Sequence, residues 1–427
     1  MPDRPRRIFV TAAEVSGDLH ASHLIESLRA IDPTLIIEGH GGPRMRAAGC
    51  TIHQETTSNA AMGVAALGRV KEMFALLKRT RLLFRETPPD LQICVDSPSL
   101  NFHFAKIAKT APATPVPVLM YVAPQLWAWR EGRMKKVRRW IDHLACILPF
   151  EEAYFRSHGV TATFVGHPLF DEVRPGATDA AERTKRLAEL GLTQPHAGGG
   201  AESAAPDASR APIIGLLAGS RRSEALKNFP RMLEVAGQVK QAFPSARFLL
   251  PTTAATDPIV TSSLDALPPS STLRSPSSFV RQQDAFDRMV PLCDLAITVS
   301  GTATLHVAIH GTPMIVVYHG SPVTWNLLGR WIVKTRTYGL VNLLGADPAA
   351  AAGGRVTPDM HLAPEYIPWY GSTRPVADHA IDLLKDPAKL AEQRARLRGM
   401  VDKLDKPGAS ERTARIAMGL MGMPRAI

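Results

Sequence analysis

The sequence predicts an α/β protein made of two doubly wound parallel-sheet domains. Three observations predict it. Short apolar runs alternate with helical patterns through the first half of the chain. The same alternation starts again after residue 212. Two turns suited to phosphate each follow an apolar run of that second half. At 427 residues, two domains are the expected number.

In the first half the runs 7–11, 34–38, 91–95, 117–122, 143–148 and 162–165 read as strands. Helical patterns at 19–31, 69–85, 101–109, 132–140 and 150–158 separate them. In the second half, strands are expected at 213–217, 246–250, 295–299 and 314–318, with helices near 223–242, 281–291, 302–310 and 322–333. Residues 166–179 read as the connection between the halves. The expected domains are 1–172 and 173–395, with helices of 396–427 packing back on the first. The Gly/Ala/Ser/Pro-rich stretch 195–212 reads as a flexible insertion, and 346–354 as a second.

Composition narrows the class. Hydrophobic residues at 45% and charged residues at 21% are ordinary for a globular chain. Fifty Lys plus Arg against 39 Asp plus Glu leave a net charge of +11, which suits an anionic partner. Cys50, Cys94, Cys146 and Cys293 are widely spaced, without C-x-x-C, and read as thiols of a reducing compartment. The N-terminus carries no apolar signal-peptide region, and no stretch is long enough for a transmembrane helix. Contact with a membrane would then be peripheral. The segment 69–85, RVKEMFALLKRTRLLFR, is basic and amphipathic. It fits either an anionic bilayer surface or an ordinary packed helix with a solvated cationic face. A second basic cluster spans 130–140.

Two stretches carry the strongest chemical signals. Residues 296–322 read as strand, turn, helix, strand, with Ser300, Gly301, Thr302, Ala303 and Thr304 at the turn. Unpartnered N–H groups and the helix dipole make such a turn an anion site. The simpler alternative is that Ser300 or Thr302 only caps the helix. Residues 213–224, IIGLLAGSRRSE, run a strand into Gly219, Ser220 and Arg221. Glycine allows close backbone approach there, and guanidinium groups bind phosphate in a bidentate fashion. Ligands of open α/β sheets bind outside the carboxyl ends of the strands. Two such domains facing across a cleft fit a GT-B glycosyltransferase or another sugar-nucleotide enzyme.

Other chemistries find no support. His20, His23, His40, His167 and His306 show no metal-ligand spacing, and neither H-E-x-x-H nor D-x-D occurs, so no metal is expected. GHGG at 39–42 is a poor match to a dinucleotide fingerprint, no P-loop is present, and no cofactor is implied. No zinc finger or aromatic–basic RNA motif supports a nucleic-acid partner.

With these residues in hand, the chain resembles the lipid-A-disaccharide synthases, inverting glycosyltransferases of GT-B fold. The matching motifs are AEVSGD (13–18), GGPRM (41–45), MG (62–63), VDSPSLN (95–101) and YVAPQLWAWREGRMKK (121–136). LPFE (148–151), FVGHPL (164–169), LLAGSRRSE (216–224), SGTATL (300–305) and VNLL (341–344) follow in order. The resemblance implies transfer of 2,3-diacylglucosamine from UDP to the 6-hydroxyl of 2,3-diacylglucosamine 1-phosphate. The implied products are a β-1,6 disaccharide and UDP, made at the cytoplasmic face of the inner membrane by a peripheral enzyme. A homodimer is left open.

Such a displacement needs a base for the acceptor hydroxyl and support for the departing diphosphate. Asp96, at the end of the strand LQICV, matches the family's proposed catalytic carboxylate; alternatively it caps the turn before Pro98. Arg221 is the candidate for the diphosphate, with Gly219, Ser220 and residues 300–304 completing the cradle. Glu14, Ser16, Gly17 and Asp18 are expected to border the acceptor, although Asp18 also fits a plain N-terminal helix charge. Asn101 and Arg130 are further candidates. Trp127 and Trp129 fit an acyl groove or core packing. Ala13, Ser99 and His306 stand where the family usually has Gly, Asp and Glu, and in GT-B enzymes that Glu commonly holds the ribose hydroxyls. Pro364-Glu365 stands as a remnant of a later family motif, broken by the alanine insertion. Two other readings remain: a UDP-sugar epimerase of the same fold, and a non-catalytic nucleotide- or lipid-binding relative.

Overall fold

The computed structural model describes residues 4–57, 66–128, 131–173, 180–192, 211–320, 337–347, 350–351 and 356–422. The chain folds as two compact units, Met1–Glu172 with Leu404–Ile427, and Val173–Lys403.

The first unit is built on seven parallel strands: β1 (Arg7–Ala12), β2 (Ile36–Gly41), β3 (Thr51–Glu55), β4 (Leu91–Val95), β5 (Val118–Tyr121), β6 (His143–Cys146) and β7 (Ala162–Phe164). Their order across the sheet is β3-β2-β1-β4-β5-β6-β7. The period-2 alternation of β1 sorts its side chains onto two faces. Ile8, Val10 and Ala12 join a core with Leu24, Ile25 and Leu28 of helix Val15–Ile31 and Ala414 and Ala417 of helix Ala409–Leu420. Phe9 joins the opposite core, with Phe84, Phe104 and Val137. Both faces are covered, so β4 (LQICV) is buried along its whole length, with Gln92 the one polar side chain, donating to Thr11 Oγ1 and Ile93 O.

The second unit holds six parallel strands: β8 (Ile213–Leu217), β9 (Arg247–Thr252), β10 (Phe279–Gln283), β11 (Leu295–Val299), β12 (Met314–His319) and β13 (Glu365–Trp369). Their order is β10-β9-β8-β11-β12-β13. Helices Arg222–Ala242 and Arg374–Lys385 cover one face. In each sheet the first strand lies between the second and the fourth, so the winding reverses between β1 and β4 and between β8 and β11. These reversals are the topological switch points at which open α/β sheets bind ligands.

The structure corrects several expectations. Three strands have no counterpart in the sequence reading: β3 (TIHQE), β10 (FVRQQ) and β13 (EYIPW). All three are sheet edges. These three edge strands carry polar residues or a proline that break the apolar run, unlike the edge strand β7, which was expected at 162–165. β10 takes the start of the helix expected at 281–291, which shrinks to Phe286–Met289. The helix expected at 322–333 lies outside the described residues, as does nearly all of the insertion at 195–212. The boundary expected at 396 falls inside helix Pro387–Leu404, most of which belongs to the second unit. In the first unit, helix Ala409–Leu420 packs on helix Val15–Ile31. Its start is fixed by the Asp171 carboxylate, which accepts from the N–H groups of Gly408, Ala409 and Ser410.

Candidate active site

At the β1/β4 switch point, Asp96 follows β4 directly. Asp96 and Ser97 both have left-handed backbones, with φ of 51° and 41°. For non-glycine residues this strain costs on the order of 1–3 kcal/mol each and persists only where the surroundings enforce it. Here Asn101, 1% exposed, enforces it. Its amide nitrogen donates to the carbonyls of Val95 (3.0 Å) and Asp96 (2.6 Å). Its amide oxygen accepts from Thr11 Oγ1 at 2.6 Å. The Asp96 N–H donates to Tyr121 O at 2.9 Å. Asn101, expected to touch substrate, is therefore a buried brace for the Asp96 turn.

The turn after β1 faces the same point. A Cβ on Gly17 would stand 3.8 Å from Asp96 Cβ and 3.5 Å from Val95 O. Glu14 precedes helix Val15–Ile31 as its N-cap without a side-chain cap bond, and Ser16 is exposed. Asp18 is buried at the base of the same turn. It is 2% exposed, and its carboxylate accepts from the N–H groups of Gly42 (2.9 Å), Arg44 (3.0 Å) and Met45 (3.1 Å). It caps helix Pro43–Ala47 and so ties the AEVSGD motif to GGPRM. Trp127 is core, with its indole N–H on Glu151 Oε1 at 3.1 Å. Glu151 is buried, and burial pushes its carboxyl up to about 8. Ser99 accepts from Arg133 at 3.4 Å. Trp129 and Arg130 lie outside the described residues.

At the β8/β11 switch point the two phosphate-suited turns are neighbours, because β8 and β11 pair in parallel. Gly219 has φ of +99°, and a Cβ there would lie 2.4 Å from Glu224 Oε2 and 3.2 Å from Val299 Cγ2. Only glycine suits both demands. Ser220 is exposed, and its carbonyl accepts from Thr253 Oγ1 at 3.3 Å. The Arg221 guanidinium rests on Glu224 Oε1 at 3.2 Å, with 62% of the Arg221 side chain exposed. The Glu224 side of this pair is only 15% exposed, so the contact holds the guanidinium at the mouth of the turn.

In the second turn, Gly301 caps helix Thr302–Ile309 without a side chain, and a Cβ there would meet nothing within 4 Å. Helix N-termini leave their first N–H groups without intrahelical partners; here Thr304 N–H already turns back to Gly301 O at 3.1 Å, which leaves the N–H groups of 301–303 as the candidate cradle. Gly301 and Thr302 are exposed and Ala303 is half-buried. The hydroxyls of Ser300 and Thr304 are taken up by the backbone. Ser300 Oγ donates to Tyr338 O at 2.9 Å, and Thr304 Oγ1 donates to Gly301 O at 2.8 Å. The anchor behind Ser300 is Glu365, which accepts from the N–H groups of Tyr338 (2.6 Å) and Gly339 (2.9 Å) and from Asn342 Nδ2 (3.0 Å). The Pro-Glu remnant pointed at this residue without its role.

His306 sits lower on the same helix. Its Nε2 meets Asp287 Oδ1 at 2.5 Å, and its ring stacks on Phe286 with centroids 4.3 Å apart. The contacts from His306 and then His310 hold the Asp287 carboxyl below the usual carboxylate range. Neither Asp287 nor His310 was singled out by motif. A cavity of about 650 Å³ beside β13, lined by His361, Tyr366, His379, Lys389 and Arg396 among others, shares no residue with either turn.

The model of the family described as lipid-A-disaccharide synthetase matches residues 8–195 and 200–349, taking in both switch points. The chain belongs to this family of glycosyltransferases. The lipid-A-disaccharide synthase of Geobacter metallireducens is 35% identical over 425 residues, which span 98% of each chain. Among solved structures, MurG of Acinetobacter baumannii superposes with a TM-score of 0.53 at 12% identity, covering 97% of this chain and 100% of that one. The UDP-GlcNAc 2-epimerase of Neisseria meningitidis, bound to UDP-GlcNAc, gives 0.51 at 10% identity, covering 97% and 98%. At such identities the likeness carries the GT-B fold alone. The family match therefore decides for the synthetases over the epimerase reading. Among the described residues, no helix is long and apolar enough to cross a membrane.

Proposed function

We propose that the protein joins UDP-2,3-diacylglucosamine to 2,3-diacylglucosamine 1-phosphate, giving a β-1,6 disaccharide and UDP. Family membership supports the reaction, and the placement of chemical groups at both switch points supports the residue roles. In this reading the backbone N–H groups at 301–303 and the Arg221 guanidinium hold the diphosphate of the donor. Asp96 accepts the proton of the acceptor 6-hydroxyl as its oxygen attacks the anomeric carbon. The bond from that carbon to the diphosphate oxygen breaks, and its electron pair leaves with UDP. Arg221 and the helix dipole balance the charge that gathers there. Gly17 keeps the approach to Asp96 clear, and Asn101 and Asp18 shape the turns without touching substrate.

The acylated substrates suggest where the enzyme works. Helix Ala66–Glu86 exposes Phe74 (64%) and Leu82 (46%), together with Lys71, Lys78 and Arg85. Their spacing of three and four residues places them on one face. Apolar side chains flanked by cations are what an anionic bilayer surface recruits. This supports peripheral binding to the cytoplasmic side of the inner membrane.

The test supplies both substrates together and the donor alone. Disaccharide and equimolar UDP are expected only from the pair. Epimerised donor without disaccharide overturns the reading, and UDP binding without product leaves a non-catalytic protein.

A further inference from the structure

His306 and His310 are four residues apart at the end of helix Thr302–Ile309, so both face the same side. Their rings lie 27° from parallel, with centroids 5.4 Å apart. Phe286 packs on the His306 ring. Both Nε2 atoms converge on one oxygen, Asp287 Oδ1, at 2.5 Å and 2.8 Å. The three donor atoms lie within 4.8 Å of one another. The histidine side chains are 19% and 10% exposed, and that of Asp287 is 58% exposed.

We propose that Asp287, His306 and His310 form a binding site for a divalent transition-metal ion, with zinc(II) the best fit. Two imidazoles and one carboxylate suit zinc, cobalt and nickel, whereas magnesium and calcium select oxygen ligands. Tetrahedral zinc with bonds of about 2.0–2.1 Å sets its donor atoms about 3.3 Å apart. Asp287 Oδ1 would withdraw by less than about 1 Å to open that space, and its exposed side chain is the mobile member of the set. Each imidazole would bind through Nε2 in the tautomer that carries its proton on Nδ1, so no net proton is released by a neutral ring. Packing already orients the rings, and the exposed side of Asp287 leaves an entry path and an open position for water or an anion. The sequence expectation of no metal overlooked His310, which gives His306 the H-x-x-x-H spacing. The site does not depend on the reaction proposed above.

The test uses the full chain after chelation. Zinc(II) is titrated by calorimetry, and cobalt(II) by its visible d–d absorption. One equivalent is expected to bind at micromolar or lower Kd, with the bands of nitrogen–oxygen coordination and a raised Tm. Asp287→Asn, a change at an exposed side chain, and His310→Ala should each weaken zinc at least tenfold and abolish the Tm rise over the same variant's metal-free Tm. Absence of stoichiometric binding overturns the site. Unchanged affinity in both variants, or thiolate charge-transfer bands with cobalt, also overturns it by placing the metal elsewhere.

Discussion

Asn101 reaches across the turn after β4 and donates to the Asp96 carbonyl at 2.6 Å. This contact fixes the left-handed backbone from which the Asp96 side chain departs. The positioning of the candidate base therefore rests on an amide buried beneath it.

Replacing Asn101 by Ala removes the donor to the Val95 and Asp96 carbonyls, while the Thr11 hydroxyl keeps Gln92 and Ile93 as partners. A loss of about 1–3 kcal/mol in stability is expected from such unsatisfied groups. Turnover should fall at least tenfold while UDP affinity holds. Urea denaturation and steady-state kinetics measure the two effects.

Asp18→Ala removes the carboxylate that caps helix Pro43–Ala47. The cost expected for a lost cap is about 0.5–2 kcal/mol, read as a lower Tm. KM for the acceptor should stay within about twofold when assayed well below the Tm. A large rise in KM would return Asp18 to the substrate.

Glu365→Ala unties Tyr338 and Gly339 and with them the anchor of Ser300. The 300–304 turn loses its backing, so UDP should bind about tenfold more weakly, as calorimetry can measure. Asp96→Asn serves as the comparison, because it leaves that turn intact.

Glu151 sets a pH dependence. Burial raises its carboxyl from the ordinary 4.5 to about 8 in the folded state. Between those values the folded state holds a proton that the unfolded chain has released. The Glu151 contribution to stability is therefore full below about pH 4.5 and falls as pH rises toward about 8. Glu151→Gln should flatten that slope in denaturation curves taken across the window.

The central strands and both phosphate-suited turns were legible because each is local. β4, β8 and β11 are five-residue, mostly apolar strands buried along their whole length. The turn after β8 announces itself by Gly219 and Arg221 within three residues. What stayed hidden is long-range or weakly patterned. Asp18 and Gly42 are 24 residues apart, Ser300 and Tyr338 are 38 apart, and neither pairing leaves a mark in sequence. Asp287 lies 19 residues from His306 and meets it only once the sheet has formed. β3 (TIHQE) and β10 (FVRQQ) escaped because polar residues break their apolar runs, and β13 (EYIPW) because a proline and a glutamate interrupt it, whereas the edge strand β7 kept enough apolar character to be read.

The most direct measurement pairs two variants in one assay of UDP binding and disaccharide formation. Asp96→Asn should keep UDP affinity within about twofold and lose on the order of 10²–10⁴-fold in turnover, the range of a general base. Arg221→Ala should weaken UDP binding and turnover together. Near-normal turnover by Asp96→Asn, or unchanged UDP affinity in Arg221→Ala, would contradict the assignment of base and diphosphate site.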